Sequence, residues 1–344
     1  MLESPTRHES AQFLVVGAGH EHRRLDQFVA AALAPERSRS QIGRMIKAGL
    51  ITVNGTAVRA SCAIRPGDRV EIVVPVPHEP MPASQNGTAQ TEGHGALEVL
   101  YSDAELLAVN KPAGMPVHPS PGHPDSTLVD ALVARFPDLA AMAEPDGLMR
   151  AGIVHRLDKD TSGVMVVART PFARMALSQQ FKERRVSKAY LAIVRGLVAH
   201  ERFTVARPLG RHPTERKRMS IHSRKPREAH TEFIVLHRFG ACANPATLLK
   251  ARPRTGRTHQ IRVHLAASGH PCLGDALYGG AGKTGSGWIR GGQALHALGL
   301  TISHPRTGER LEFIAPLPDD IAEFLTARGL AVGPSMIRQW VDAE

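Results

Sequence analysis

Only three cysteines occur in the 344 residues, Cys62, Cys242 and Cys272, scattered and without a CxxC pair. An odd number at such spacing argues against a disulfide framework or a cysteine-based zinc site and suits reduced thiols. Aromatic residues are also scarce, at 4% of the chain with three tyrosines. No apolar run approaches the ~20 residues that a membrane helix needs. The opening MLESPTRHES has no apolar signal core, and Glu3 and Glu9 argue against a transit peptide. A cytoplasmic location is the expectation. Acidic residues are outnumbered, 32 against 43 Lys and Arg, so the formal net charge is +11. Such a surplus points to a polyanionic partner, with nucleic acid ahead of membrane because no basic amphipathic helix stands out.

Cofactor signatures are missing too. In VVGAGHEH the third glycine of a dinucleotide loop would fall on His22. In GAGKTG the first glycine of a phosphate loop would fall on Leu277. Among 18 histidines there is no HExxH, and His259 and His264 are five apart rather than four. Neither cofactor nor metal is expected.

What is present divides into segments. Residues 1–23 read as an N-terminal extension and 24–76 as a small module. Leu25, Phe28, Val29, Ala32 and Leu33 fall at helical spacing. A second short helix, QIGRMIKAG, ends at Gly49, and ITVNGTAVR reads as a hairpin around Asn54-Gly55. Pro66-Gly67-Asp68 then turns the chain into the strand RVEIVVP. Arg37, Arg39, Arg44 and Lys47 cluster on and just before the second helix. Residues 77–95 have the Pro, Gly, Ser, Thr and Asn content of a linker. From 96 to 318, strand-like stretches such as LLAVNKP, GVMVVAR, KAYLAIV and TLLKARP are interspersed with helical candidates. Without regular alternation, this predicts a mixed, largely antiparallel α+β domain. Residues 319–344 read as a C-terminal helical tail, in which DDIAEFLTARGL is expected to pack as a closing helix.

The informative stretch is GIVHRLDKDTSGVMVVAR, Gly152 to Arg169. Two apolar runs flank His155, Arg156, Asp158, Lys159 and Asp160. Charges so close to a core are unfavourable unless paired or used. Taken alone, HRLDKDTSG is a polar hairpin of good turn formers. Its context says more. The stretch is similar to the signature of the RluA/RluD-type pseudouridine synthases of ribosomal RNA. VNKPAGMPVHP, KAYLAIV, GRHPTERKRMSIH, TGRTHQIRVHLAASGHPCLGDALYG and LHALGLTISHP resemble that family in the same order. The 24–76 module, with a basic helix followed by GLITVNG and PGDRVEI, resembles the S4 RNA-binding domain. The resemblance spans about Arg24 to Pro318 and is nearest the RluD branch, through HPSPGHPDSTLVDAL and RHPTERKRM.

The resemblance implies isomerisation of specific uridines to pseudouridine in RNA, with 23S (large-subunit) rRNA or an assembling large subunit as substrate. The N-glycosidic bond breaks, the uracil turns, and its C5 joins C1′. Asp158 matches the family's catalytic aspartate, as nucleophile or as a base giving a glycal intermediate, and both routes stay open. Asp160 has no family role and reads as structural. Arg156 matches the arginine that fills the place of the flipped base, for which a planar, stacking guanidinium is suited. Tyr190 matches the tyrosine that faces the uracil. Arg257 matches the arginine paired with the catalytic carboxylate, with Arg262 on the following helix as the alternative. Ile261 matches an apolar position lining the uracil pocket. Arg211, Arg216, Lys217 and Arg218 sit in a stretch with few apolar anchors and read as phosphate contacts at the mouth of the site. A monomer is expected.

Two rival readings remain. A non-catalytic RNA-binding protein would keep the fold without the set Asp158, Tyr190 and Arg257, and all three are present. A nucleoside hydrolase would release free uracil.

Overall fold

The computed structural model describes residues 10–20, 23–33, 39–74, 97–119, 125–142, 151–215, 217–240, 244–279 and 292–343. The chain divides into two units, residues 1–86 with 136–151 and residues 87–135 with 152–344.

In the first unit, β1 (Ser10–Val15), α1 (Leu25–Ala32), α2 (Arg39–Lys47), β2 (Ile51–Val53), β3 (Thr56–Ala57) and β4 (Arg69–Val74) follow one another. The strands form an antiparallel sheet in the order β1-β4-β2-β3. Leu25, Phe28, Val29 and Leu33, the apolar stripe of the first helix, are buried against Ile42, Met45 and Ile46 of α2 and against Ile51, Val70 and Ile72. Asn54 and Gly55 both have positive φ, 51° and 77°, as a two-residue hairpin loop of type I′ requires. The strand β1 corrects the boundary expected at Arg24. It pairs with β4 from Ser10↔Val74 to Val15↔Arg69 and covers an edge that would otherwise be open. The expected linker 77–95 lies outside the described residues.

The second unit continues with β5 (Glu98–Ser102), β6 (Leu106–Lys111), α3 (Leu128–Arg135), β7 (Ser162–Ala168), α4 (Pro171–Lys182), β8 (Ser187–Arg195), β9 (Arg202–Val205), β10 (Gly210–Arg211), β11 (Met219–Ser220), β12 (Thr231–Phe239), β13 (Ala246–Pro253), α5 (Gln260–Ala267), β14 (Leu295–Ser303), β15 (Arg310–Ile314), α6 (Asp319–Ala327) and α7 (Pro334–Asp342). Nine strands share one sheet in the order β5-β6-β7-β14-β8-β13-β12-β9, with β15 also on β14. The β7–β14 pair is parallel and the others are antiparallel, so the mixed α+β expectation holds. Strands β10 and β11 form a separate ribbon.

Residues 319–343 form α6 and α7, and DDIAEFLTARGL packs on the sheet as a closing helix. Ile321, Phe324, Leu325 and Trp340 join Leu191, Ile193 and Leu248 of the sheet in one core. The buried Lys250 of β13 donates to the carbonyls of Val341 and Ala343, both at 2.6 Å, at the end of α7. That arrangement satisfies both the helix end and the lysine.

The topology opens a place for chemistry beside β7. Strand β14 pairs with it only at His296↔Ser162 and Ala297↔Gly163, then takes β15 from Gly299 onward. A Cβ on Gly163 would lie 2.2 Å from the Ala297 carbonyl oxygen, so this close approach needs glycine. Where the strands part, Ile153 bridges Val167. Loop 154–161 emerges from that gap.

Candidate active site

Each turn of the loop is tied down. His155 Nε2 accepts the Val166 N–H at 2.9 Å, a ring nitrogen taking the place of a ladder carbonyl. Its ring also stacks on Phe181, centroids 4.5 Å apart. Burial, with the nearby Lys188 charge, pushes the His155 pKa down to about 3, which keeps this lone pair available. Asp158 O accepts from Thr161 N at 3.1 Å, and Thr161 Oγ1 accepts from Gln293 at 2.9 Å. Ser162 Oγ meets His296 Nδ1 at 2.8 Å. Lys111, fully buried at the end of β6, donates to the carbonyls of Pro112, Met115 and Lys159 at 2.8–2.9 Å. Burial drives its pKa down to about 7, with Asp160 and Asp158 acting in the opposite direction.

The loop presents Asp158 at the bottom of a cleft of about 460 Å³. Its carboxylate, 18% exposed, receives Arg262 Nη1 on Oδ2 at 3.0 Å. Arg262 is itself buried and held from behind: Nε and Nη2 donate to Asp275 Oδ2 and Oδ1 at 2.7 and 2.9 Å. The fully buried Asp275 also accepts the Leu277 and Tyr278 backbone N–H groups. Burial opposes the Arg262 charge, but its bonds to Asp275 and then Asp158 prevail and its pKa rises. Oδ1 of Asp158 has no hydrogen bond among the described residues and faces His259 Nε2 at 3.9 Å.

The expected pairing of Arg257 with Asp158 is not formed. Arg257 lies in the turn before α5, where its Nε donates to the Glu228 carbonyl at 3.0 Å. That turn is closed by the buried Gln260, whose Oε1 accepts from Arg257 N and Thr255 Oγ1. Arg262, two residues further on the buried face of α5, points inward and takes the pair. Arg257 lines the cleft with the exposed Arg156, Tyr190 and the buried Ile261. Tyr190 stands on β8, and burial, followed by the Asp158 charge, raises its pKa. Lys188, two residues earlier, has its pKa pushed down to about 8 by burial and by Arg184. Among the described residues Asp158 is the sole carboxylate lining the cleft. Among the described residues no group of three His, Cys, Asp or Glu is placed to hold a metal ion.

The basic stretches are partly exposed and partly held in ion pairs. On β10–β11, Arg211 and Lys217 are exposed, whereas Arg218 pairs with Glu215 at 2.9 Å. Arg216 and Arg37 lie outside the described residues, as does the side chain of Arg44. Lys47 is exposed, but Arg39 is tied to the largely buried Asp26 at 3.0 Å, so part of its charge supports the fold.

Asp275, Tyr278, His259 and Lys111 were not singled out from sequence. They lie inside the quoted VNKP and TGRTHQIR…LGDALYG segments, but only the fold shows that they converge.

A carboxylate with one oxygen clamped and one open, beside the partly buried Tyr190, is equipped to act on a sugar carbon. The comparisons agree. The family model described as RNA pseudouridylate synthase matches residues 105–267, and that of the S4 domain matches residues 23–70. An uncharacterised RNA pseudouridine synthase of Bacillus subtilis, YlyB, is 42% identical over 308 residues, covering 88% of this chain and 93% of that protein. The chain belongs to the RNA pseudouridine synthase family. Ribosomal large subunit pseudouridine synthase D of Xanthomonas campestris is likewise 42% identical, over 319 residues covering 89% of this chain and 88% of the relative. Among solved structures, human RNA pseudouridylate synthase domain containing 1 is 31% identical with a TM-score of 0.54, covering 72% of this chain and 95% of that one. The synthase is therefore an isomerase that converts uridine to pseudouridine in RNA, and it carries an S4 RNA-binding domain.

Proposed function

We propose that the synthase acts on uridines of large-subunit rRNA, and that Asp158 is the reacting carboxylate. The observation that carries the site assignment is the placement of Asp158 at the cleft bottom, clamped on one oxygen by Arg262 and open on the other. The substrate choice is supported by relatives named for the large ribosomal subunit and by the +11 charge. The sequence relatives named above are bacterial, which supports a cytoplasmic site of action.

In this reading Arg156, exposed at the cleft rim, stacks in the place of the flipped uridine, an exchange that offsets part of the few kcal/mol of unstacking. The uracil rests on Ile261 with Tyr190 across it. Asp158 Oδ1 either attacks C1′ or removes the C2′ proton, and the uracil leaves with the N-glycosidic electron pair. After rotation C5 bonds to C1′, which breaks the Asp158–C1′ bond in the first route or takes the proton back from Asp158 onto C2′ in the second, and the C5 proton departs while N1 gains one. Arg262 keeps Asp158 aimed through each step. Arg211, Arg216, Lys217 and Arg218 contact phosphates at the cleft mouth, and Lys47 with Arg37, Arg39 and Arg44 contact them from the S4 domain.

The test is tritium release from 5-tritiated large-subunit rRNA by wild type and Asp158→Asn. Release by wild type alone, without free uracil, is the expected result. Wild-type release on tRNA but not on rRNA or ribosomal particles would overturn the substrate. Turnover by Asp158→Asn near the wild-type rate would remove Asp158 from the reaction.

A further inference from the structure

The open oxygen of Asp158 faces His259, and His259 is under unusual local control. It sits in the left-handed region at φ +55°, immediately before α5, a conformation disfavoured for a side-chain-bearing residue. Its Nδ1 lies 2.8 Å from Tyr278 Oη. Tyr278 Oη in turn accepts the backbone N–H of Met219, on β11 of the basic ribbon, at 2.8 Å. With that acceptor position filled, the phenol's own hydrogen is directed to His259 Nδ1. The proton of a neutral imidazole then resides on Nε2. Burial lowers the His259 pKa, with the Asp158 charge acting the other way, so the neutral ring is the relevant form near pH 7. Nε2 is 3.9 Å from Asp158 Oδ1, a separation that a small closure around substrate brings to hydrogen-bond length.

We propose that Tyr278 and His259 are positioning residues for the isomerisation: Tyr278 selects the Nε2–H tautomer of His259, which aims the free oxygen of Asp158. This rests on Asp158 being the reacting carboxylate. A neutral donor suits the task. A second cation on Oδ1 would hold the carboxylate in its ground state, whereas an imidazole N–H orients it and releases it. The chain of contacts also ties this alignment to the seating of the ribbon that carries Arg211, Lys217 and Arg218. Met219 belongs to that ribbon, and Arg218 lies 5.5 Å from the centroid of the Tyr278 ring.

The experiment is a double-mutant cycle with Tyr278→Phe and His259→Ala, read by tritium release with KM and kcat separated. Tyr278→Phe keeps the ring, which packs on Leu209 and Val263 and lies 5.1 Å from the Arg262 guanidinium. Each single variant is expected to lower kcat by about tenfold, the loss of one oriented donor, with KM for RNA within about twofold. The double variant should lose about tenfold, not a hundredfold, because both act through one N–H. His259→Gln, which returns an N–H donor, should recover most of the loss. Additive losses, or a fall carried by KM, would assign Tyr278 to packing and overturn the relay. A readout independent of turnover is the imidazole ¹⁵N spectrum, in which the His259 signals are assigned by their absence in His259→Ala. Wild type should show the Nε2–H tautomer and Tyr278→Phe a mixture. An unchanged spectrum in Tyr278→Phe overturns the relay even where Asp158 proves catalytic. A shifted spectrum with an inactive wild type would instead locate the failure in the choice of substrate.

Discussion

Asp26 in the first unit and Asp158 in the second are both largely buried carboxylates held by arginine, with side chains 9% and 18% exposed. Asp26 is gripped on both oxygens by Arg24 and Arg39, each about half exposed. Burial raises its pKa, but the hydrogen bonds from the two arginines outweigh it and the value falls. Both oxygens carry hydrogen bonds from arginine, an arrangement that stabilises the unit. Asp158 has one arginine, on one oxygen, and that arginine is buried and clamped by Asp275. Half of the carboxylate is thereby left facing a cleft. The difference between Asp26 and the aspartate proposed to react is which side of the ion pair is buried, and which oxygen is left open.

The sharpest way to break this comparison is to neutralise each carboxylate. Asp158→Asn should lower turnover by at least about 10³-fold, near 4 kcal/mol of transition-state stabilisation, while RNA affinity persists. Next in size is Arg262→Met, which leaves Asp275 buried and unpaired as well as Asp158 unaimed. Beyond the loss of turnover, chemical denaturation should show the second unit destabilised by about 3–5 kcal/mol; a stable, active variant would refute the clamp.

An acid titration probes the loop that carries Asp158. The folded-state pKa of His155, about 3, is below its ordinary 6.5, so the unfolded chain binds more protons between these values. Its contribution to stability is therefore complete above pH 6.5 and is lost as pH falls toward 3. His155→Gln should flatten the decline of the second unit's melting midpoint across that window, and an unaltered slope would count against the ring as ladder acceptor. A smaller effect is expected from Arg211→Ala with Lys217→Ala. The salt dependence of RNA affinity should lose about one unit of slope per phosphate contact removed. Smallest is Asp26→Asn, whose half-exposed partners limit the loss to roughly 1–2 kcal/mol, with kcat unchanged. A fall in kcat there would mean that the two aspartates differ less than their geometry indicates.

Much of this was legible in the chain itself. The Asn54-Gly55 hairpin, the stripe Leu25, Phe28, Val29 and Leu33, and the runs LLAVNK and GVMVVA declare themselves through local chemistry: positive φ at a turn, a helical period, and strands apolar on both faces. The cluster around Asp158 is conspicuous because charges beside apolar strands demand a reason. The strand β1 escaped because its partner β4 lies more than fifty residues away. That α6 would pack was legible, but not that Leu248 and Lys250, on a distant strand, receive α6 and α7. Arg257 and Arg262 are five positions apart and chemically identical, and nothing local says which one reaches Asp158. That choice follows from the turn closed by Gln260 and from the burial of Asp275. The sequence by itself determined which residue types were available for the chemistry, since composition and motifs are properties of neighbours along the chain. The tertiary structure alone decided which arginine aims the carboxylate, which oxygen stays open and which histidine faces it. Those are relations between segments about a hundred residues apart, set by the packing of β7, β14 and α5.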